Sequence, residues 1–187
     1  MSYYRDQLEI WLKQLHIKAR SVIDIGGGAN PVDKRVASWE VENYMILDNT
    51  IEESKRKPDI FKDINYTITN GVQYDIAFCL EVFEYVWNPV VAMNNVYSFV
   101  KRGGRAFISF PTIYPFHQPE SYDCLRYMKP GIEKLLDNAG FERWNITPRR
   151  ATAGHEYLAS FYQSEGMHPV RGSQQVYDIG YMIEAFK

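Results

Sequence analysis

The segment Ser21-Val22-Ile23-Asp24-Ile25-Gly26-Gly27-Gly28 decides the fold of this protein. Its first five residues form a short, mostly apolar run, and the run stops at three consecutive glycines. Such a run is typical of a strand that is buried on both faces, and the glycines indicate a tight turn directly after it. The segment therefore predicts strand one at residues 21–25 and a glycine-rich loop at its carboxyl end.

Apolar runs of the same kind recur along the chain. Further strands are predicted at residues 44–48, 59–61, 74–80, 105–110, 141–147 and 179–186. Apolar residues at helical spacing predict helices at residues 2–15, 88–101 and 130–139, with only short helical segments between the first three strands. This alternation predicts an α/β, doubly wound fold. Its seven-stranded sheet is expected to be mostly parallel, with helices on both faces and a final antiparallel strand.

Length and composition fit one globular domain over residues 1–187, because 45% of the residues are hydrophobic. Residues 1–20 are expected to form a helical extension, and residues 148–172 an excursion between the last two strands. The first residues do not resemble a signal peptide, and no apolar run approaches the ~20 residues of a membrane span, so we expect a cytoplasmic protein without a membrane partner. The net charge of -2 disfavours nucleic acid as a partner.

The cysteines and histidines predict neither a disulfide nor a metal site. Cys79 and Cys124 are far apart in sequence, and neither stands at metal-ligand spacing from another cysteine or a histidine. Cys79 lies within an apolar run, which is typical of a small core residue.

The glycine-rich loop is the candidate cofactor site, because ligands of such folds bind at the carboxyl ends of the strands. A dinucleotide-binding loop has the pattern Gly-x-Gly-x-x-Gly. With Gly26 and Gly28 as the first two glycines, the third would fall at Pro31. Proline has no N–H and hinders close packing of a helix on the strand. The loop therefore disfavours an NAD-dependent oxidoreductase, which stays as an alternative.

The segment from residue 22 to residue 28 resembles motif I of the class I S-adenosylmethionine-dependent methyltransferases, and the resemblance extends over residues 21–141. Asp48 resembles the acid that binds the ribose, residues 62–64 resemble the pair that brackets the adenine, and residues 74–86 resemble the fourth motif. The resemblance implies S-adenosylmethionine as the cofactor. The cofactor-binding residues that it implies are Asp24, Gly26, Gly27, Gly28, Asn30, Asp48, Asn49, Asp63, Ile64, Leu80, Glu81 and Tyr85.

These residue types suit the cofactor. Gly26 and Gly28 are able to adopt positive φ and to let the backbone approach the methionine portion. Asp24 is expected either to orient the loop or to accept a water-mediated bond from the amino group, and Asp48 to accept hydrogen bonds from both ribose hydroxyls. Asp63 is expected to accept a bond from the adenine amino group, with Ile64 and Leu80 packing against the ring.

The chain departs from the family pattern at two positions. Asn30 stands where the family has a third loop glycine, and asparagine is the non-glycine residue that best enters the left-handed region. Tyr85 stands where many small-molecule members carry a histidine, which puts a base at that position in question.

The acceptor side is predicted in the long loop at residues 111–127. Its His, Pro, Asp and Arg pattern resembles that of methyltransferase-like proteins of sugar and cell-surface polysaccharide pathways. His117 is the candidate base, Asp123 would orient it or a substrate hydroxyl, and Arg126 would bind a carboxylate or phosphate of the acceptor. Alternatively, Asp123 and Arg126 form a structural ion pair and His117 satisfies loop carbonyls.

The sequence thus predicts methyl transfer to oxygen, or less readily to nitrogen, of a small polar metabolite such as a sugar or nucleotide sugar. A noncatalytic protein that binds S-adenosylmethionine is one alternative. A nucleic-acid methyltransferase is another, although residues 80–83 lack the Pro-Pro-aromatic element of enzymes that methylate amino groups of nucleic acids.

Overall fold

The computed structural model describes residues 3–50, 55–69, 71–115, 122–150 and 178–187. Helix α1 is Tyr3–Leu12, α2 is Pro89–Phe99 and α3 is Lys129–Ala139. The strands are β1 His16–Ile25, β2 Ser38–Asp48, β3 Ile60–Phe61, β4 Tyr74–Cys79, β5 Val100–Pro111, β6 Arg143–Arg150 and β7 Asp178–Phe186.

The seven strands form one sheet in the order β3-β2-β1-β4-β5-β7-β6. Neighbours from β3 to β5 are parallel, and β7 runs antiparallel to both β5 and β6. The predicted fold class is therefore confirmed. Because the strand order reverses between β1 and β4, the carboxyl ends of these two strands border the crevice in which open α/β sheets bind ligands.

Helices cover both faces of the sheet. On one face, Met93 of α2 and Leu136 of α3 are fully buried in the larger core cluster. On the other face, Leu8 and Leu12 of α1 pack in a second cluster that includes Phe78 of β4. Each fully buried side chain of this kind contributes about 1.5 to 3 kcal/mol relative to an exposed one. None of the described helices is long and apolar enough to cross a membrane.

Strands β1 and β2 begin earlier than predicted, at His16 and Ser38 rather than at residues 21 and 44. The early part of β1 pairs with β2 alone, as in Ile17 with Trp39, whereas β4 joins only from Val22 onward. With fewer neighbours, this part alternates exposed and buried residues and lacks the apolar run of a fully buried strand. Because β1 starts at His16, α1 ends at Leu12 and is shorter than predicted.

Strand β6 passes through Pro148, although the prediction ended it at residue 147. Pro148 pairs with Tyr181 of β7, and β6 is the last strand in the sheet order. Proline is tolerated on an edge strand because no second neighbour requires its missing N–H. The predicted excursion at residues 148–172 therefore begins inside β6, and its remainder lies outside the described residues.

Candidate functional site

The glycine-rich loop turns sharply at the carboxyl end of β1. Gly26 has a φ of 75°, and its N–H donates to the carbonyl of Leu47 on β2 at 2.7 Å. A Cβ atom at Gly26 would overlap the side chain of Val82, so the loop lies directly against the chain that leaves β4. Gly28, the other loop glycine able to adopt positive φ, does not do so, because the described glycines with positive φ are Gly26, Gly103 and Gly140.

Asp24 of β1 holds the glycine-rich loop in place through hydrogen bonds. Its carboxyl is buried, and Oδ2 accepts the Val32 N–H at 2.9 Å and the Tyr44 hydroxyl at 2.6 Å. Burial raises the pKa of Asp24 to about 6, and the bonds from Tyr44 and Val32 act in the opposite direction. A Cβ atom at Gly27 would overlap this carboxyl. Of its two predicted roles, Asp24 therefore performs the orientation of the loop.

A single 3-10 turn, Val32–Lys34, follows the loop where a nucleotide-binding fold often has a helix. Pro31 precedes this turn, and Arg35 after it donates to the Asn30 carbonyl at 3.1 Å. Arg35 also forms an ion pair of 2.6 Å with Glu9, which joins α1 to the loop. A turn this short offers no α-helix N-terminus to a pyrophosphate.

Asn30 does not adopt the left-handed conformation considered for it. Among the described non-glycine residues, positive φ occurs at Glu81 and not at Asn30. The Asn30 side chain instead accepts a hydrogen bond from Lys55 Nζ at 3.0 Å. Asn30 therefore fixes the outer edge of the loop by its side chain.

Asp48 lies at the end of β2, next to the glycine-rich loop. Its Oδ2 accepts the Gly28 N–H at 3.1 Å, and its Oδ1 accepts the N–H groups of Asn49 at 2.8 Å and Thr50 at 3.2 Å. The Asn49 side chain is exposed beside it. The structure thus brings together the predicted loop and the predicted ribose-binding acid through a direct hydrogen bond.

The residues predicted to hold the adenine are arranged differently. Asp63 Oδ1 accepts the backbone and side-chain N–H groups of Asn65, at 2.8 and 2.9 Å. Ile64 is buried in the cluster beneath α2 and α3, whereas Leu80 is buried in the cluster beneath α1. The two side chains predicted to pack against one ring therefore lie in different core clusters.

Glu81 directly follows β4 and has a φ of 55°. Its N–H donates to Ser109 Oγ at 2.8 Å, and the Ser109 hydroxyl donates to Glu81 Oε1 at 2.7 Å. The fully buried Arg149 also donates to Oε1, at 2.7 Å. Sequence reasoning missed Ser109 and Arg149, because no motif marks them and Pro148 concealed the end of β6.

A 3-10 turn, Phe83–Tyr85, joins Glu81 to the predicted acceptor side. The carbonyl of Glu84 accepts the N–H groups of Cys124 at 2.7 Å and Leu125 at 3.1 Å. The Glu84 carboxyl is buried, and burial together with the neighbouring Glu81 raises its pKa to about 8. Tyr85 is half-buried, and burial and the nearby carboxyls of Glu84, Asp123 and Glu81 raise its pKa.

The described residues contain no group of three or more side chains that could hold a metal ion.

Asp123 and Arg126 form a bidentate ion pair, with contacts of 2.5 and 2.6 Å. The Asp123 side chain is fully buried. Arg126 also donates to the carbonyl of Leu125 at 2.9 Å and to those of Tyr114 and Pro115 at 3.3 Å. The structural alternative predicted for this pair is therefore present, and it joins the two described sides of the loop. His117 lies outside the described residues.

Replacing Arg126 with Lys is expected to destabilise the protein by about 1 to 2 kcal/mol, because an ammonium group cannot reproduce a planar, bidentate contact. Urea unfolding would measure the loss. The matched control is Arg105→Lys, since Arg105 contacts Glu184 through one nitrogen at 2.8 Å and with more exposure. Equal losses in the two variants would contradict a special structural role of Arg126.

No protein-family profile matches the chain, and no curated protein matches it in sequence. Solved structures do. An S-adenosylmethionine-dependent methyltransferase from Mesorhizobium loti has 10% identity and a TM-score of 0.65, with 100% of this chain and 98% of that chain covered. A second, from Archaeoglobus fulgidus, has 16% identity and a TM-score of 0.61, with 99% and 92% covered.

A third similar structure is phosphoethanolamine N-methyltransferase 2 from Haemonchus contortus, in complex with S-adenosyl-L-methionine. It has 13% identity and a TM-score of 0.59, with 97% of this chain and 52% of that chain covered. Likeness at such identities concerns the fold. The chain has the fold of the class I S-adenosylmethionine-dependent methyltransferases.

Proposed function

We propose that this protein is an S-adenosylmethionine-dependent methyltransferase that methylates oxygen, or alternatively nitrogen, of a small polar metabolite. The observation that carries the proposal is the hydrogen bond of 3.1 Å between the Gly28 N–H and Asp48 Oδ2. It places a fixed acid beside a glycine-rich loop at the switch point of the sheet. Such an acid is able to accept hydrogen bonds from both ribose hydroxyls, and such a loop lets a methionine chain approach the backbone.

The protein's own residues would hold the cofactor by exchanging existing bonds. Asp48 would give up backbone N–H groups to accept the ribose hydroxyls, and the freed Gly28 N–H would face the ligand. When bound, S-adenosylmethionine supplies a methyl group on an activated sulfonium. The chain's task is therefore alignment and, for a hydroxyl acceptor, removal of a proton.

The acceptor is proposed to lie near the half-buried Tyr85 and Tyr114, between the end of β4 and the loop after β5. Arg126 is already engaged by Asp123 and by loop carbonyls, so we assign it to positioning this loop rather than to binding an anionic acceptor. His117 as the base, Asp123 as its partner, and a sugar or nucleotide sugar as the acceptor stay predictions.

A noncatalytic protein that binds S-adenosylmethionine is the second candidate. It is favoured by the Asp123–Arg126 ion pair, because these two side chains predicted for the acceptor side contact each other and hold the loop. An NAD-dependent oxidoreductase is disfavoured, because the 3-10 turn after the loop lacks the helix N-terminus that such enzymes direct at the pyrophosphate.

Calorimetric titration with S-adenosylmethionine, S-adenosylhomocysteine and NAD tests the proposal. We expect both sulfur compounds to bind and NAD to show no heat of binding. Mass spectrometry of reactions with a panel of hydroxyl and amine compounds would then identify the accepting atom. Binding of NAD alone would refute the proposal, and binding of the methyl donor without any product would favour the noncatalytic candidate.

Asp48→Asn is expected to weaken binding of S-adenosylmethionine at least tenfold. A neutral amide loses charge-assisted bonds to the ribose, each typically about 1.5 to 3 kcal/mol. Calorimetry would measure the affinity. Asp75→Asn is the matched control, because its carboxylate also accepts a backbone N–H, that of Ser21 at 2.7 Å, but it lies at the amino end of β4. Unchanged affinity in Asp48→Asn would mean that the ribose is held elsewhere.

A further inference from the structure

Two buried polar side chains from distant parts of the chain converge on Glu81. Ser109 of β5 and Arg149 of β6 are fully buried, and both donate to Glu81 Oε1 at 2.7 Å. The Arg149 guanidinium lies 4.3 Å from the ring centre of the buried Tyr4 of α1. Strands β5 and β6 therefore orient one carboxylate, and α1 packs against the Arg149 that pairs with it.

This arrangement is unfavourable for folding alone. A glutamate with a φ of 55° is strained, because its side chain disfavours the left-handed region. Within the described part of the chain, Arg149 Nε and Nη1 are buried and have no hydrogen-bond partner. An apolar group in place of a buried ion pair is often neutral or stabilising. Strain and a costly buried charge at one position indicate a functional requirement for the Glu81 carboxylate.

Glu81 borders the ligand crevice. It follows β4, and the next residue, Val82, lies directly against Gly26 at the end of β1. The exposed fraction of the Glu81 side chain is 18%, whereas the Arg149 side chain is fully buried. A ligand that enters between β1 and β4 therefore meets the negative end of this ion pair first.

The charge of the methyl donor matches this position, given the function proposed above. With its ribose at Asp48 on β2 and its methionine chain at the glycine-rich loop, as proposed above, the donor would extend across the end of β1 toward β4, and its sulfur would lie between these two parts. S-adenosylmethionine carries a positive charge on that sulfur, and S-adenosylhomocysteine does not. A partly buried carboxylate attracts a nearby cation more than an exposed one does, because water and salt screen it less, and the paired Arg149 offsets part of this attraction.

We propose that Glu81 discriminates the charged methyl donor from its neutral product, and that Ser109 and Arg149 are positioning residues which hold its carboxylate at the crevice. Discrimination of this kind favours exchange of spent product for fresh donor. This discrimination can be measured with S-adenosylmethionine and S-adenosylhomocysteine alone, without knowing the acceptor.

Calorimetric titration of Glu81→Gln with S-adenosylmethionine and S-adenosylhomocysteine tests the inference. We expect affinity for the donor to fall about tenfold and affinity for the product to change less than about threefold, because only the donor carries the charge. Glu184→Gln is the matched control. It removes the carboxylate of another ion pair of the same sheet, Arg105–Glu184 at 2.8 Å, and should leave both affinities unchanged.

Ser109→Ala tests the positioning role and decides the matter if Glu81→Gln does not fold. It keeps the charge of Glu81 but removes two hydrogen bonds to it, so we expect the ratio of donor to product affinity to fall at least about threefold. Ser98→Ala on α2 controls for the loss of a serine hydroxyl. An unchanged ratio, or equal losses for both compounds, would overturn the inference. Failure of the unaltered protein to bind either compound would instead refute the proposed function.

Discussion

Gly27→Ala is expected to destabilise the protein by about 3 to 5 kcal/mol. A Cβ atom at this position would overlap the Asp24 carboxyl, which is buried and accepts the Val32 N–H and the Tyr44 hydroxyl. Moving the carboxyl breaks two bonds to a buried charge, each worth about 1.5 to 3 kcal/mol. Such a loss is a large fraction of the stability of a typical domain, which is about 5 to 15 kcal/mol. Urea unfolding would measure it.

The matched control for this substitution is Gly131→Ala in α3. No atom lies within 4 Å of a Cβ added at Gly131, and the residue is helical. Alanine in a helix is favoured over glycine by up to about 1 kcal/mol, so this variant should be as stable as the unaltered protein or more stable. Losses of similar size in both variants would show that the Asp24 contact is not the cause.

Between pH 6 and pH 8 the protein is expected to lose about 2 kcal/mol of stability, owing to Glu84. Burial and the neighbouring Glu81 raise the pKa of Glu84 from 4.5 to about 8. In this range the unfolded chain has released the proton, whereas the folded chain holds it at pH 6 and is half ionised at about pH 8. Rising pH therefore favours unfolding, by up to about 1.4 kcal/mol for each pH unit. Asp24, with a pKa of about 6, contributes mainly below this window.

Glu84→Gln should abolish this pH dependence, because the amide cannot ionise. Urea unfolding of the variant and of the unaltered protein at several pH values between 6 and 8 would compare the two slopes. Glu133→Gln on α3 is the control, since this glutamate is partly exposed and pairs with Lys129. A slope that persists in Glu84→Gln would assign the pH dependence to another group.

The sheet could be predicted from sequence because its central strands are apolar on both faces and glycines or prolines stand at their ends. The position of Asp48 beside the glycine-rich loop follows from the same reasoning, since parallel strands end at one edge of the sheet. The early parts of β1 and β2 have no such signal. They alternate polar and apolar residues because few strands flank them.

The Glu81 arrangement could not be predicted in this way. Its contacts join Glu81 to Ser109 and Arg149, which are 28 and 68 residues away in sequence. Local periodicity carries no information on such pairs, and the positive φ of Glu81 contradicts its residue type. Conflicts between residue type and conformation are expected at functional sites, where local rules give way to the chemistry of the site.

The insertion of β7 between β5 and β6 restricts the order in which the sheet is completed as the chain leaves the ribosome. β6 is synthesised first, but among the described strands its partner is β7, at residues 178–186. Until those residues emerge, β5 and β6 both present open backbone groups, and open strand edges are where nascent chains associate with one another. Premature termination before residue 178 therefore leaves β5 and β6 with unprotected edges rather than a smaller native sheet.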